Sequence, residues 1–306
     1  MVVDVVEASA AIAGLAGAWS LCLAVACAAQ ERMIFGRPRS VRPWVDGPHD
    51  GHITTPVTIE ASDGVSLAGW VTAAPGGPRH VLVWFPGRNE NIGWVRGVAS
   101  WLGTDWAVCA FDYRGLGRSG GKAGERTCVA DGLRIVDWIG RTANVPPERI
   151  VIAGWSLGSC IAVQVAAQRS VAGMCLIAPP ASVSHLVKRN PLLKPAQRWL
   201  RHPFDSLAVA GRVQGRTLVL LAERDRKVPH PHSHRLVEAM RSARNGKQQV
   251  DCRVVTIAGT NHCTVGRKEA CLREISAFAR EAVSASRRSG VADDPGQEEA
   301  ILSPGG

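Results

Sequence analysis

No two of the nine cysteines form a CxxC pair, and an odd number of thiols cannot all be paired within one chain. Most of them sit inside apolar runs, so a disulfide framework and a cysteine-built zinc site are both excluded. They are expected as small buried hydrophobes in a reducing compartment. Acidic residues are also scarce, 26 against 36 Lys and Arg, which leaves a formal charge of +10. The basic residues are spread along the chain and no nucleic-acid-binding module accompanies them, so nucleic acid is not expected as a partner. Anionic lipid headgroups suit such a basic body better. With 46% hydrophobic and 20% charged residues, the composition excludes a disordered chain and allows one full core.

Charge is missing altogether from residues 9–29, SAAIAGLAGAWSLCLAVACAA, a run long enough to cross a hydrocarbon layer as a helix. Asp4 and Glu7 precede it, where a cleaved signal peptide carries positive charge, and Arg32, Arg37, Arg39 and Arg42 follow it. The expectation is an anchor over residues 1–31, single-pass, with the body on the cytoplasmic side of a membrane. Two other readings stay open. LAVAC ending at Cys27 resembles a lipoprotein cleavage box, and an Ala-rich helix can also pack on its own domain. Residues 32–286 form the body, and 287–306, rich in Gly, Pro and acid, have the composition of a disordered tail.

Within the body, strand-length apolar or β-branched runs occur at 55–60, 67–73, 80–86, 106–111, 150–154, 173–178, 217–221 and 251–257. Asp63-Gly64 marks a hairpin between the first two. Helical patterns lie between the later ones, at 91–102, 125–139, 157–168, 232–240 and 268–283. This alternation predicts an α/β fold with a mostly parallel eight-stranded sheet and helices on both faces. Ligands in such sheets sit beyond the carboxyl ends of the strands.

Gly154-Trp155-Ser156-Leu157-Gly158 falls at such an end, after RIVIAG and before LGSCIAVQVAA. Two glycines flanking a serine at a strand-to-helix turn are what a nucleophile elbow requires. A serine needs a base, and the base an orienting acid. His262 follows the last strand, and Asp225 or Glu223 follows the strand before it. Oxyanion donors are expected from the backbone amides of Leu157, at a helix N-terminus, and Arg88, in the loop PGRNENI. Gly87 and Trp155 are candidate pocket residues, although Trp155 also suits a packed core. The PHPHSH run at His230, His232 and His234 reads as a solvated helix start rather than a metal tract, and neither metal nor cofactor is expected.

GWSLGS, FDYRGLGRSGG, the D-x-x-V-P of Asp225 to Pro229 and the late His262 together resemble α/β-hydrolase-fold serine hydrolases. They are most similar to the membrane-anchored abhydrolase-domain and bud-emergence-type group, which overlaps the serine aminopeptidase-like family. The resemblance runs from about Arg32 to about Ala282 and includes FDS at Phe204 to Ser206. It favours Asp225 over Glu223, because Val228-Pro229 follows it as in the family, and it implies a structural role for DYRGLG. Relatives usually carry HGN where this chain has Pro86-Gly87-Arg88, so the groups bracing that loop must differ here.

Residues 179–215 make a connection longer than an ordinary αβ loop and are expected to form a small lid. Leu186, Leu192, Leu193, Trp199, Leu200 and Phe204 alternate there with Lys188, Arg189, Lys194, Arg198 and Arg201, and Asp205 is almost alone as an acid. That mixture suits an acyl or lipid-like substrate near a membrane, cleaved at an ester or thioester bond. An amidase or aminopeptidase with the same triad, and a scaffold without activity, are the alternatives.

Overall fold

The computed structural model describes residues 2–36, 47–242 and 250–290. Nine strands form one sheet: β1 (Gly47–His49), β2 (His52–Glu60), β3 (Ser66–Ala73), β4 (His80–Phe85), β5 (Trp106–Phe111), β6 (Ile150–Trp155), β7 (Gly173–Ile177), β8 (Arg216–Ala222) and β9 (Cys252–Ile257). Their spatial order is β1-β2-β3-β5-β4-β6-β7-β8-β9. All eight expected strands form, and the three-residue β1 adds to the edge. The strands β1, β2 and β3 are antiparallel, joined at Asp63-Gly64 as the turn chemistry predicts, and everything from β5 to β9 is parallel. The sheet is thus an α/β-hydrolase fold, antiparallel at the β1 edge and parallel from β5 to the β9 edge.

The helices are α1 (Val2–Ala28), α2 (Gln30–Phe35), α3 (Ala99–Leu102), α4 (Glu125–Thr142), α5 (Leu157–Ala166), α6 (Val183–Lys188), α7 (Leu207–Ala210), α8 (His230–Ser242) and α9 (Glu269–Gly290). β4 is buried along its whole length. Side chains alternate across a strand, so Val81, Val83 and Phe85 enter the core under α4, α5 and α8, while Leu82 and Trp84 enter the one under α3 and α9. The helix expected over 91–102 is mostly a tighter 3-10 turn, Ile92–Val98, which only then widens into α3.

A helix does form over most of the uncharged run, with α1 ending at Ala28, but among the described residues no helix is long and apolar enough to cross a membrane. The expected boundary between residues 31 and 32 also falls inside α2. Phe35 of that helix is buried in the main core, against His202 and Phe204. Arg37, Arg39 and Arg42 lie outside the described residues. The expected tail begins later than 287, since residues 287–290 still belong to α9, and 291–306 lie outside the described residues.

The DYRGLG loop is structural, as the resemblance implies. Arg114, only 4% exposed, clasps Asp131 through Nε and Nη2, both at 2.7 Å, and reaches Asp63 at the β2-β3 turn through Nη1 at 2.5 Å. Arg114→Met leaves the buried Asp131 carboxylate without its cation, and is expected to lower the unfolding free energy by about 3–5 kcal/mol in urea titration. Adding Asp131→Leu should return part of that loss.

Candidate active site

The turn from β6 into α5 is tight enough to exclude side chains at both of its glycines. A Cβ on Gly158 would lie 2.0 Å from the Phe85 carbonyl oxygen, and one on Gly154 would lie 2.3 Å from that of Gly158. Between them Ser156 adopts φ 53°, ψ −110°, a conformation that L-residues rarely take, and its amide is held by the Ile177 carbonyl at 2.8 Å. The strain lifts the hydroxyl clear of the sheet edge.

Two further loops meet it there. His262, after β9, is placed by a turn in which Asn261 Oδ1 accepts from the Cys263 amide and Thr264 Oγ1 accepts from the Asn261 amide. Asp225, after β8, accepts the Lys227 and Val228 amides on Oδ1 at 2.9 and 2.8 Å. Its Oδ2 lies 2.8 Å from His262 Nδ1, and His262 Nε2 lies 2.9 Å from Ser156 Oγ. With the proton on Nδ1 donated to the carboxylate, Nε2 is free to accept from the serine hydroxyl. The Asp225 side chain is 2% exposed and that of His262 12%, so the chain of bonds is shielded from water. Glu223 is turned away: its carboxylate accepts the Gly259 amide at 3.0 Å.

A cavity of about 250 Å³ opens on Ser156. Leu157 and Arg88, the expected oxyanion donors, both line it. Gly87 and Trp155, the expected pocket residues, do not. Trp155 is packed in the core edge-on to Trp94 and so close to Gly266 that a Cβ there would meet its ring at 2.8 Å. Gly87 is a spacer, because a Cβ on it would approach the Trp155 carbonyl at 3.0 Å. His230, His232 and His234 start α8, where His230 Nε2 bonds the Ala222 carbonyl at 2.7 Å.

The brace at the position of the missing histidine's loop is Glu90, which lies within the polar stretch PGRNENI. Its Oε2 accepts the Gly87 amide at 2.5 Å and its Oε1 accepts the Trp94 indole at 2.9 Å. The Tyr113 hydroxyl holds the Pro86 carbonyl at 2.7 Å from the other side. Desolvation pushes the Glu90 pKa up to about 7, against the opposing pull of those two donors and of Arg267, which lies over the Trp94 ring. The sequence did carry a signal for this: an acid three residues after the glycine, with a tryptophan four residues further on.

Residues 76–216 match the family described as Serine aminopeptidase, S33, a region that includes Ser156 but ends before Asp225 and His262. An uncharacterized protein of Mycobacterium tuberculosis is 30% identical over 209 residues, covering 67% of this chain and 71% of that protein. Among solved structures, an acetyl xylan esterase from Paenibacillus sp. R4 superposes with a TM-score of 0.62 at 17% identity, over 76% of this chain and 86% of that one. Brefeldin A esterase, a bacterial homologue of human hormone sensitive lipase, gives 0.61 at 17% identity over 86% of both chains. At such identities the likeness is one of fold.

Glu90 makes a prediction that needs no substrate. A carboxyl group whose folded pKa lies above its unfolded value binds protons preferentially in the native state. Its stabilising contribution is therefore full below pH about 4.5 and fades as pH rises through about 7. Glu90→Gln should flatten that part of the stability profile, measured by urea denaturation across pH 4 to 8.

Proposed function

The chain belongs to the α/β-hydrolase family of serine hydrolases, and from that premise we propose that it cleaves carboxylic ester or thioester bonds of acyl substrates. What carries this reading is Ser156 Oγ, bonded to His262, at the end of a cavity walled mainly by Ala, Leu, Ile, Val and Met side chains. Ser156 Oγ attacks the acyl carbonyl carbon while its proton passes to His262 Nε2, and Asp225 stabilises the imidazolium that results. The oxyanion is held by the Leu157 and Arg88 amides, the first at the N-terminus of α5. Collapse expels the alcohol or thiol, which takes the proton from His262. Water, deprotonated by the same imidazole, then releases the carboxylic acid and restores the serine. An aminopeptidase needs a carboxylate to hold the substrate's ammonium, and among the described residues no acidic one lines this cavity.

A membrane surface is the setting that this reading favours. Leu15, Trp19, Leu21, Val25 and Met33 on α1 and α2 are exposed, as are Leu192 and Trp199 on the lid, beside its lysines and arginines. Exposed apolar residues bordered by cations suit anionic headgroups. Full-length protein is expected to float with phosphatidylglycerol vesicles more than with phosphatidylcholine, and less so as salt is raised.

The chemistry is tested with a fluorophosphonate probe. Wild-type protein should be labelled and Ser156→Ala should not; equal labelling would exclude Ser156 as nucleophile. His262→Ala should lower kcat for p-nitrophenyl esters by roughly 10,000-fold or more. Aminoacyl amides cleaved faster than those esters would turn the reading to peptide bonds.

A further inference from the structure

The residues around the cavity come from three separate parts of the chain. The body contributes Arg88, Ser156 and Leu157, and the lid contributes Pro180, Val183, Leu186, Val187, Leu193, Ala196 and Leu200. The remainder, Ala26, Cys27, Gln30, Met33 and Ile34, lie on α1 and α2. These helices are fastened to the lid by several polar contacts. Gln30, 6% exposed, donates to the Trp199 carbonyl at 3.2 Å and accepts the Arg201 amide at 2.6 Å. Arg201 reaches the Cys27 carbonyl at 3.0 Å and Glu31 at 2.8 Å, while the Trp19 indole donates to the Leu192 carbonyl at 3.3 Å. On the other side, the Phe35 carbonyl accepts the Asn89 amide at 3.5 Å, next to Arg88.

An anchor or a cleaved leader has no need of these contacts. A buried glutamine using both ends of its amide to join two segments some 170 residues apart holds a defined geometry. Without α1 and α2 the lid's apolar face would stand open to water.

We propose that α1 and α2 are the outer wall of the acyl-binding site, with Ala26, Met33 and Ile34 setting the length of the chain accepted. The site takes a single acyl chain, extended from Ser156 between these helices and the lid. A volume of about 250 Å³ lies near the lower end of the roughly 300–1,000 Å³ of small-molecule pockets, which suits one acyl chain within these walls. The N-terminal segment is then part of the substrate site, whatever else it attaches to.

The proposal rests on the acyl reading of Ser156, and its test separates the two. Binding of dansyl-undecanoate to full-length Ser156→Ala protein reads the cavity without turnover. In that background Ala26→Trp, which puts an indole into the wall, is expected to weaken binding by about tenfold or more. Unchanged binding in a variant that keeps its circular dichroism spectrum would overturn the proposal. In the active protein the same substitution should lower the ratio of kcat/KM for p-nitrophenyl decanoate over p-nitrophenyl acetate by about tenfold or more. An unchanged ratio overturns it. Should Ala26→Trp fail to fold, Met33→Ala trims the same wall, and is expected to move the preferred chain length upward by about two carbons; an unmoved optimum overturns it. If the probe binds and no ester is cleaved, the hydrolase reading fails and the wall stands. If esters are cleaved and no acyl probe binds, the wall fails alone.

Discussion

The site depends on how closely α5 approaches the end of β4. Gly158 sits against the Phe85 carbonyl at a distance that admits no side chain, and that approach fixes the first turn of the helix over the sheet. From it follow the positive φ of Ser156, the direction of its hydroxyl, and the placing of the Leu157 amide beside the loop that carries Arg88. The strain is bearable because it is surrounded on every side: β4 and β7 flank β6, and the Ile177 carbonyl pins the serine amide. Asp225 and His262, which bond in series to the serine, sit on loops, but short ones, each braced by backbone-to-side-chain bonds.

Around that fixed centre the protein is assembled from parts of different stiffness. The sheet and its two cores are continuous apolar layers. The DYRGLG loop is locked by the Arg114 pairs and supports Pro86 through Tyr113. The lid has no large buried side chain between Val183 and Trp199, and it is held chiefly by polar contacts to α1 and α2. A firmly held Ser156 beneath a less firmly held cover would let the proposed acyl substrate enter without disturbing the elbow.

The strands were legible because burial on both faces leaves unbroken apolar runs such as HVLVWF and WAVCAF, and the bounds differ by at most one residue except at β2, which starts three residues earlier. Ser156, Asp225 and His262 were legible because each follows such a run directly, and the topology brings those ends together. Glu90 was not, since a buried carboxylate and a solvated one look alike within PGRNEN. Trp155 was read toward the pocket because it neighbours the serine, yet alternation along β6 turns it to the opposite core. The partnership of Gln30 with Trp199 and Arg201 is a long-range contact that no local pattern encodes. For the same reason residues 1–31 read as a detached segment although Phe35, four residues on, is core.

The distance in sequence between the parts also fixes the order in which a growing chain acquires them. Ala26 and Ile34, at the outer face of the cavity, are made before Ser156, and His262 follows Ser156 by 106 positions. Until that histidine has left the ribosome and β9 has joined the sheet, the serine has no base and remains an ordinary alcohol. On the mechanism proposed above, a nascent or prematurely terminated chain therefore carries the elbow without the base that would make it reactive.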